Sequence, residues 1–276
     1  MASNNNNHVF TQNPIVRRIS RINEYDGGTV CTYKGIAGKL LFFVLMVAVG
    51  VALCLIVKNS AFIAGETVFE GVLYEDSDPI VITKIDLILM GAATLISIIA
   101  PFVAIFARPA IPVVGSLFCV ATGYMLSWLA VTFADQYMAP VLLALVITLI
   151  IVFTMGFLYG MGIIQVTQKV KTFIMTAMIT VCVGSLLLLI GSFIPVVNGF
   201  VAQIMSNPVI SIGGSVLMVI VGTLFLLVDF DTIRECVEKG LPKKYEWYAA
   251  YALAFSVIWL YFKVLQLVIK IMGKRD

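Results

Sequence analysis

The sequence predicts an all-α, polytopic integral membrane protein with seven transmembrane helices. Hydrophobic residues make up 61% of the 276 positions, charged residues make up 12%, and the mean hydropathy is +1.05. A soluble globule with this composition could not present a sufficiently polar surface to water. Seven apolar stretches also approach or exceed the roughly 20 residues that a helix needs to cross the hydrocarbon core. They lie at 38–57, 85–106, 111–134, 138–160, 173–197, 209–230 and 245–271.

These stretches fill the chain and define a single seven-helix transmembrane domain at 35–276. Residues 1–34 are polar and rich in asparagine, and they lack the short apolar core of a secretory signal. We expect them to form a disordered tail that the mature protein retains. His8, the only histidine, belongs to this tail, and a solvated low-complexity segment is favoured there over a metal or partner patch. The five cysteines show no CxxC spacing, which favours reduced packing thiols, and no cofactor is expected.

The basic residues concentrate on one side of the predicted topology. That side holds the N-terminal segment, Arg108, Lys169, Lys171 and the loop at 231–244. The positive-inside rule therefore predicts a cytoplasmic N-terminus, and seven spans then send the C-terminus outside. The net charge of +3 comes without a basic stripe interleaved with aromatics, so nothing indicates nucleic acid binding, and the lipid bilayer is the expected partner.

Three ionisable residues stand within or beside the last two apolar runs, namely Asp229, Asp231 and Lys263. A charge at the centre of a bilayer helix costs roughly 2.5–3.5 kcal/mol, so such residues usually mark a function. Asp229 and Asp231 are two positions apart, which turns them about 200° from each other on a helix. We expect Asp229 to face the bundle and Asp231 to face outward.

The sixth span should continue as a charged helical extension. Asp231 can pair with Arg234 at i+3, and Arg234 with Glu238 and Glu235 with Lys239 are i+4 pairs. Gly240 and Pro242 then mark the end of the helix.

Lys263 has two open interpretations, an internal ion pair with Asp229 or a long side chain that reaches the outer interface. A helix covers about 16 Å from Asp229 to Gly240, and another covers about 30 Å from Lys243 to Lys263. A direct pair between Asp229 and Lys263 would therefore need a strong tilt, a break or a re-entrant turn.

The second half of the chain carries a family resemblance. It reads ALVITLIIVFTMGFLYGMGIIQVTQKVKTFIMTA from residue 144 and, further on, LLVDFDTIRECVEKGLPKKYEWYAAYALAFSVIWLYFKVLQLVIKIM. These runs resemble the bacterial branch of the Bax inhibitor (transmembrane Bax inhibitor motif) family, and Asn13 and Pro14 match its N-terminal part more loosely. The most specific pieces are the DFD with its following isoleucine, a loop motif, and the aromatics near the end. The loop and aromatic positions are Gly240, Pro242, Glu246, Trp247, Trp259 and Tyr261.

The resemblance implies a seven-helix membrane fold and, in the better-understood members, a pH-dependent calcium or cation leak gated by carboxylates on the last two helices. Asp229 matches the aspartate of the sixth helix. Lys263 stands where the second acidic residue is expected, and Gln266 stands where this branch tends to place an arginine. An aspartate and a lysine would form a salt bridge in place of a carboxylate pair that shares a proton, and a fixed cation would repel calcium.

Two functions follow as hypotheses. The first is a pH-sensitive leak for calcium, protons or another cation, or the regulator of such a leak, with Asp229, Lys263 and Asp231 as the latch. The alternative is a non-conducting scaffold that binds a membrane protease or another stress-response partner. The bacterial plasma membrane is the expected location in both cases.

Enzymatic activity is not expected. The zincin HExxH motif, a serine with a partner histidine and the GxGD context of intramembrane aspartyl proteases are all missing from the sequence. A retinal Schiff base on Lys263 is also disfavoured, because the third span lacks the arginine and aspartate of a counter-ion pattern.

Overall fold

The computed structural model describes residues 30–64, 69–71, 80–164, 166–191 and 194–272, and it is helical almost throughout these ranges. The expected tail falls mainly on residues 1–29, which lie outside the described residues, and the described chain begins at Val30. The elements are α1 (Tyr33–Ala64), β1 (Phe69–Gly71), β2 (Ile80–Ile82), α2 (Lys84–Phe106), a 3-10 turn (Arg108–Ala110), α3 (Ile111–Thr132), α4 (Ala134–Gly160), α5 (Gln168–Gly191), α6 (Pro195–Ser206), α7 (Pro208–Glu238) and α8 (Tyr245–Met272). The two short strands pair antiparallel between α1 and α2.

Six of the described helices, α1, α2, α3, α4, α7 and α8, are long and apolar enough to cross a membrane. The predicted span at 173–197 falls on α5, which ends at Gly191, and on the separate helix α6, which begins at Pro195. A proline has no N–H to donate, so it suits the first turn of a new helix and not the interior of a long one. The fold class, an all-α polytopic membrane protein, is confirmed.

The contacts of α5 show that the chain between Lys171 and α7 runs the length of the bundle. Lys171 lies against Asp231, close to the last turns of α7. Helix α7 has 31 residues, which gives it a length of about 46 Å, so it begins at the opposite end of the bundle. Among the described residues, α5 and α6 therefore lie between the two ends of the bundle, beside the six long helices.

The bundle has two ends, which we call the basic end and the far end. The basic end contains the last turns of α7 and the first turn of α8. There the backbone N–H of Cys31 donates to the Leu241 carbonyl at 2.8 Å, and the Arg108 guanidinium lies 5.9 Å from the Tyr248 ring. The segments that the sequence places on one side do meet at this end, and its cytoplasmic orientation stays a prediction.

Helices α3 and α8 are the most buried of the six, and the others pack around them. Helix α1 crosses α3 at very short range, where Gly50 faces the Val120 carbonyl and Gly123 faces the Val47 carbonyl. A Cβ atom at either glycine would overlap the opposite backbone. Small residues of this kind let two membrane helices touch along their backbones.

The outer surface of the bundle is apolar. Phe106 is 86% exposed and Ile88 is 69% exposed, and many other large hydrophobic side chains on the outer helices are exposed as well. Contiguous exposed apolar surface on long helices is the surface that lipid chains cover.

Helix α7 ends as the sequence predicts. Arg234 Nε lies 2.6 Å from Glu238 Oε1, and Lys239 Nζ lies 3.4 Å from Glu235 Oε1, so both i+4 pairs form. Gly240 adopts a φ of 58°, and its N–H donates to the Val237 carbonyl while the next N–H donates to the Cys236 carbonyl. This pair of bonds is the Schellman motif, which favours a glycine at the left-handed position.

Candidate functional site

Asp229 lies in the contact between α7 and α8. Its neighbours on α7, Leu226, Leu227 and Val228, are buried, and the side chain of Ser256 on α8 lies beside its carboxyl group. The second carboxyl oxygen, Oδ2, is inaccessible to solvent and has no hydrogen-bond partner. A carboxyl group with one unmatched buried oxygen in an apolar contact is an expensive arrangement, and such groups usually have a functional reason.

Asp231 lies on a different side of α7 from Asp229, as a separation of about 200° requires. Lys171 Nζ of α5 donates to Asp231 Oδ2 at 2.9 Å, and the Tyr159 hydroxyl of α4 donates to Oδ1 at 3.3 Å. Lys171 also lies 3.3 Å from Glu235 Oε2. These three residues, Lys171, Asp231 and Glu235, form what we call the α5–α7 clamp.

The clamp corrects the expectation that Asp231 faces outward and pairs with Arg234. The structure places α4 and α5 beside the last turns of α7, so Asp231 faces two neighbouring helices. Arg234 instead binds Glu238 on the exposed side of α7.

Lys263 and Asp229 are not brought together. Helices α7 and α8 run antiparallel, and Ser256 is the α8 residue beside Asp229. Lys263 is seven residues further along α8, which is about 10 Å along the helix axis. Its Nζ lies 5.2 Å from the Trp259 ring centroid and 3.5 Å from Gln266 Oε1, and the ion pairs among the described residues do not include one with Asp229.

The other motif residues of α8 have packing roles. The Tyr261 hydroxyl donates to the Val141 carbonyl at 3.2 Å, which ties α8 to α4. Trp259 lies against Gly222 of α7, where a Cβ atom would come within 2.9 Å of the indole ring. Gln266 is exposed apart from its contact with Lys263.

Glu246, which the sequence indicates only as part of a loop motif, forms a buried charged site. Its side chain is fully buried, and Oε1 accepts from the backbone N–H of Thr32 at 3.0 Å and from the Thr32 hydroxyl at 3.2 Å. Lys39 pairs with Oε2, and Gly35 leaves the space that the carboxylate occupies. The Lys39 ammonium also lies 5.3 Å from the Trp247 ring centroid. We call Glu246, Lys39 and Thr32 the Glu246 node.

The signal for this node was present in the sequence. Lys39 is a lone cation near the start of the first apolar run, and Glu246 is a lone anion at the start of the last one. Ionisable residues that enter apolar helices usually have a partner on another helix. Their separation of 207 positions, however, gives no indication of which helices are neighbours.

A second buried carboxylate lies at the far end. Asp86 caps α2 together with Thr83, and its Oδ2 lies 3.1 Å from Lys58 Nζ, whereas its Oδ1 is buried without a hydrogen-bond partner. Within the described ranges, no group of three His, Cys, Asp or Glu side chains is placed to hold a metal ion.

Comparison with known proteins addresses the family directly. The model of the family described as Bax inhibitor 1 like matches residues 7–273, so the similarity extends well beyond the second half of the chain. Searches of curated proteins and of solved structures return no match. This family match over almost the whole length shows that the chain belongs to the Bax inhibitor 1 like family.

Proposed function

We propose that this family member is a pH-sensitive cation leak, or the regulator of one, and that Asp229 is the group whose protonation controls it. The observation that carries the proposal is the buried, unpartnered Oδ2 of Asp229 in the contact between α7 and α8. A carboxyl group gains or loses a full charge with a single proton, and charge is expensive in an apolar contact. Protonation of Asp229 should therefore change how α7 packs on α8.

The α5–α7 clamp supports this role because it lies two residues further along the same helix. Lys171 holds Asp231 and Glu235 from α5, so the last turns of α7 are restrained, whereas Oδ2 of Asp229 has no hydrogen-bond partner. Protonation or deprotonation of Asp229 would act on α7, which is fixed at one end by the clamp. A local change in charge would then tilt α7.

A proton is a better match than calcium for Asp229 itself. Calcium takes 6–8 oxygen ligands, whereas Asp229 has one carboxyl group and the Ser256 hydroxyl beside it. If the protein conducts calcium, the ion would pass through the protein and would not stay bound at Asp229. Lys263 is displaced along α8 and would influence passing cations by its charge alone.

The test is ion flux into proteoliposomes loaded with calcium-sensitive or pH-sensitive dye, measured between pH 6 and 8. We expect the wild type to conduct with a rate that changes with pH, and Asp229→Asn to lose that pH response. Glu238→Gln is the matched control, because it removes an exposed carboxylate from the same helix. Lys263→Asp replaces the fixed cation by the acidic residue that the family resemblance leads one to expect at this position, and it should raise calcium flux. The proposal fails if wild type, Asp229→Asn and empty vesicles are indistinguishable.

The alternative function, a scaffold for a membrane protease or another stress-response partner, is favoured by a different observation. Arg234, Lys243 and Lys244 are exposed at the basic end, on and just after the last turn of α7. Charge reversal at these three positions should abolish recovery of a defined partner while leaving flux unchanged. Unchanged recovery of that partner would exclude this surface as the contact.

A further inference from the structure

A pocket of about 380 Å³ opens at the basic end, between the 3-10 turn that follows α2 and the first turn of α8. Two cations, Arg108 and Lys244, line it together with prolines and aromatic side chains. None of the described residues that line it is acidic. The nearest acidic residue in the chain sequence, Glu246, points into the Glu246 node, where Lys39 and Thr32 bind both of its oxygens. The described lining of the pocket therefore carries two positive charges and no negative one.

The side chains in the pocket are suited to a phosphate group. The Arg108 guanidinium lies over the Tyr248 ring, and a contact with the face of a ring does not use its N–H donors. Arginine binds phosphate through paired N–H groups, and lysine adds a point charge. Both cationic side chains are exposed, so a ligand can reach them.

The position of the pocket identifies the source of the phosphate. Arg108 follows directly on the last turn of α2, where Ile105 is 67% exposed and Phe106 is 86% exposed. These apolar side chains are part of the surface that faces lipid, so the charged pocket begins where the hydrocarbon layer ends. Trp247 and Tyr248 in the pocket wall are residue types that concentrate at this boundary.

We propose that this pocket binds the phosphate of an acidic phospholipid, with Arg108 and Lys244 on the head group and the acyl chains along the exposed end of α2. Basic pockets between transmembrane helices bind lipid head groups in this manner. The bound lipid would bridge the α2–α3 turn and the first turn of α8, the turn that also carries Glu246.

The test is native mass spectrometry of the full-length protein released from micelles that contain equal amounts of phosphatidylglycerol and phosphatidylcholine. We expect the wild type to retain one phosphatidylglycerol in preference to phosphatidylcholine. Each basic residue near the surface contributes about five-fold in affinity, so Arg108→Gln with Lys244→Gln should lower the preference about 25-fold. Lys169→Gln with Lys239→Gln is the matched control, because it removes two exposed cations that do not line the pocket.

Charge-preserving substitutions separate binding from folding. Arg108→Lys with Lys244→Arg should keep most of the preference, whereas a preference lost in this pair as well would overturn a charge-based site. Equal retention of the two lipids by the wild type, or equal losses in the pocket and control pairs, would also overturn the proposal. Inorganic phosphate at millimolar concentration is then compared with added phosphatidylglycerol as a competitor for the bound lipid. If the two competitors are equally effective, the site takes a free anion and the assignment to a lipid is wrong.

Discussion

Glu246→Gln should be among the most destabilising conservative substitutions in this protein. The substitution keeps the shape of the side chain and leaves Oε1 able to accept from Thr32. It removes the negative charge from a fully buried position and leaves Lys39, whose side chain is only 14% exposed, without its counter-charge. An amide N–H₂ group would then face an ammonium group, and both are donors.

The expected loss follows from the burial of the two partners. Removing one partner of a buried ion pair costs about 3–5 kcal/mol, because the remaining charge stays desolvated. Lys39 keeps some contact with water, so we expect about 3 kcal/mol, the lower end of that range. The double variant Glu246→Gln with Lys39→Met removes both charges, and it should be more stable than Glu246→Gln alone. Gly35→Ala should also destabilise, because its Cβ atom would overlap the Glu246 carboxylate.

The assay is reversible unfolding in mixed micelles with increasing SDS, followed by circular dichroism. Glu238→Gln is the matched control, since Glu238 makes a similar pair with Arg234 but both side chains are more than half exposed. Exposed pairs contribute little, so this control should unfold close to wild type. The reasoning is refuted if Glu246→Gln is no less stable than Glu238→Gln. It is also refuted if adding Lys39→Met to Glu246→Gln lowers the stability further.

Four further outcomes are expected. Gly123→Val should cost about 3 kcal/mol or more in the same unfolding assay, because its side chain would force α1 and α3 apart, whereas Gly91→Val, with open space around it, should be tolerated. Gly240→Ala should cost about 1–2 kcal/mol, because its φ of 58° is left-handed; an unchanged midpoint would argue against the motif. Burial raises the pKa of Cys31 to about 11, so a variant with Cys31 as its sole cysteine should react with maleimide at pH 7 only after unfolding; rapid labelling of folded protein would contradict this. Lys270→Met should speed hydrogen exchange in the first turns of α7, because the ammonium group donates to Ser215 Oγ at 2.8 Å; equal exchange would show that this bond restrains nothing.

The helices could be predicted from sequence because membrane insertion depends on runs of apolar residues, which are local. Six predicted spans correspond to helices that meet the requirement for length and hydropathy. Hydropathy alone joins α5 and α6 into one predicted span, because the apolar run continues across the break before Pro195 and hydropathy does not register the missing proline N–H. The end of α7 was predicted in detail, since an i+4 pair and a glycine cap depend only on near neighbours in the sequence.

The charged contacts between helices could not be predicted in the same way. Lys171 and Asp231 are 60 positions apart, and their pairing depends on which helices are neighbours in the bundle. The same holds for the Glu246 node. The distance between Asp229 and Lys263 could be predicted from the helix rise per residue, which is the same in every helix. The structure places Lys263 well away from Asp229, beside Gln266.

The distribution of these contacts indicates where α7 has freedom to move. At the basic end the α5–α7 clamp holds its last turns, and a loop of six residues, 239–244, joins it to α8 beside the buried Glu246 node. At the far end, the contact between α7 and α8 includes the bonds from Lys270 to Ser211 and Ser215. If Asp229 has the proposed role, a change in its charge would act on a helix whose last turns are anchored by several charged contacts, and the helix should tilt about that anchor. On the proposed function, the opening would be widest at the far end, and the basic end would be the hinge and not the gate.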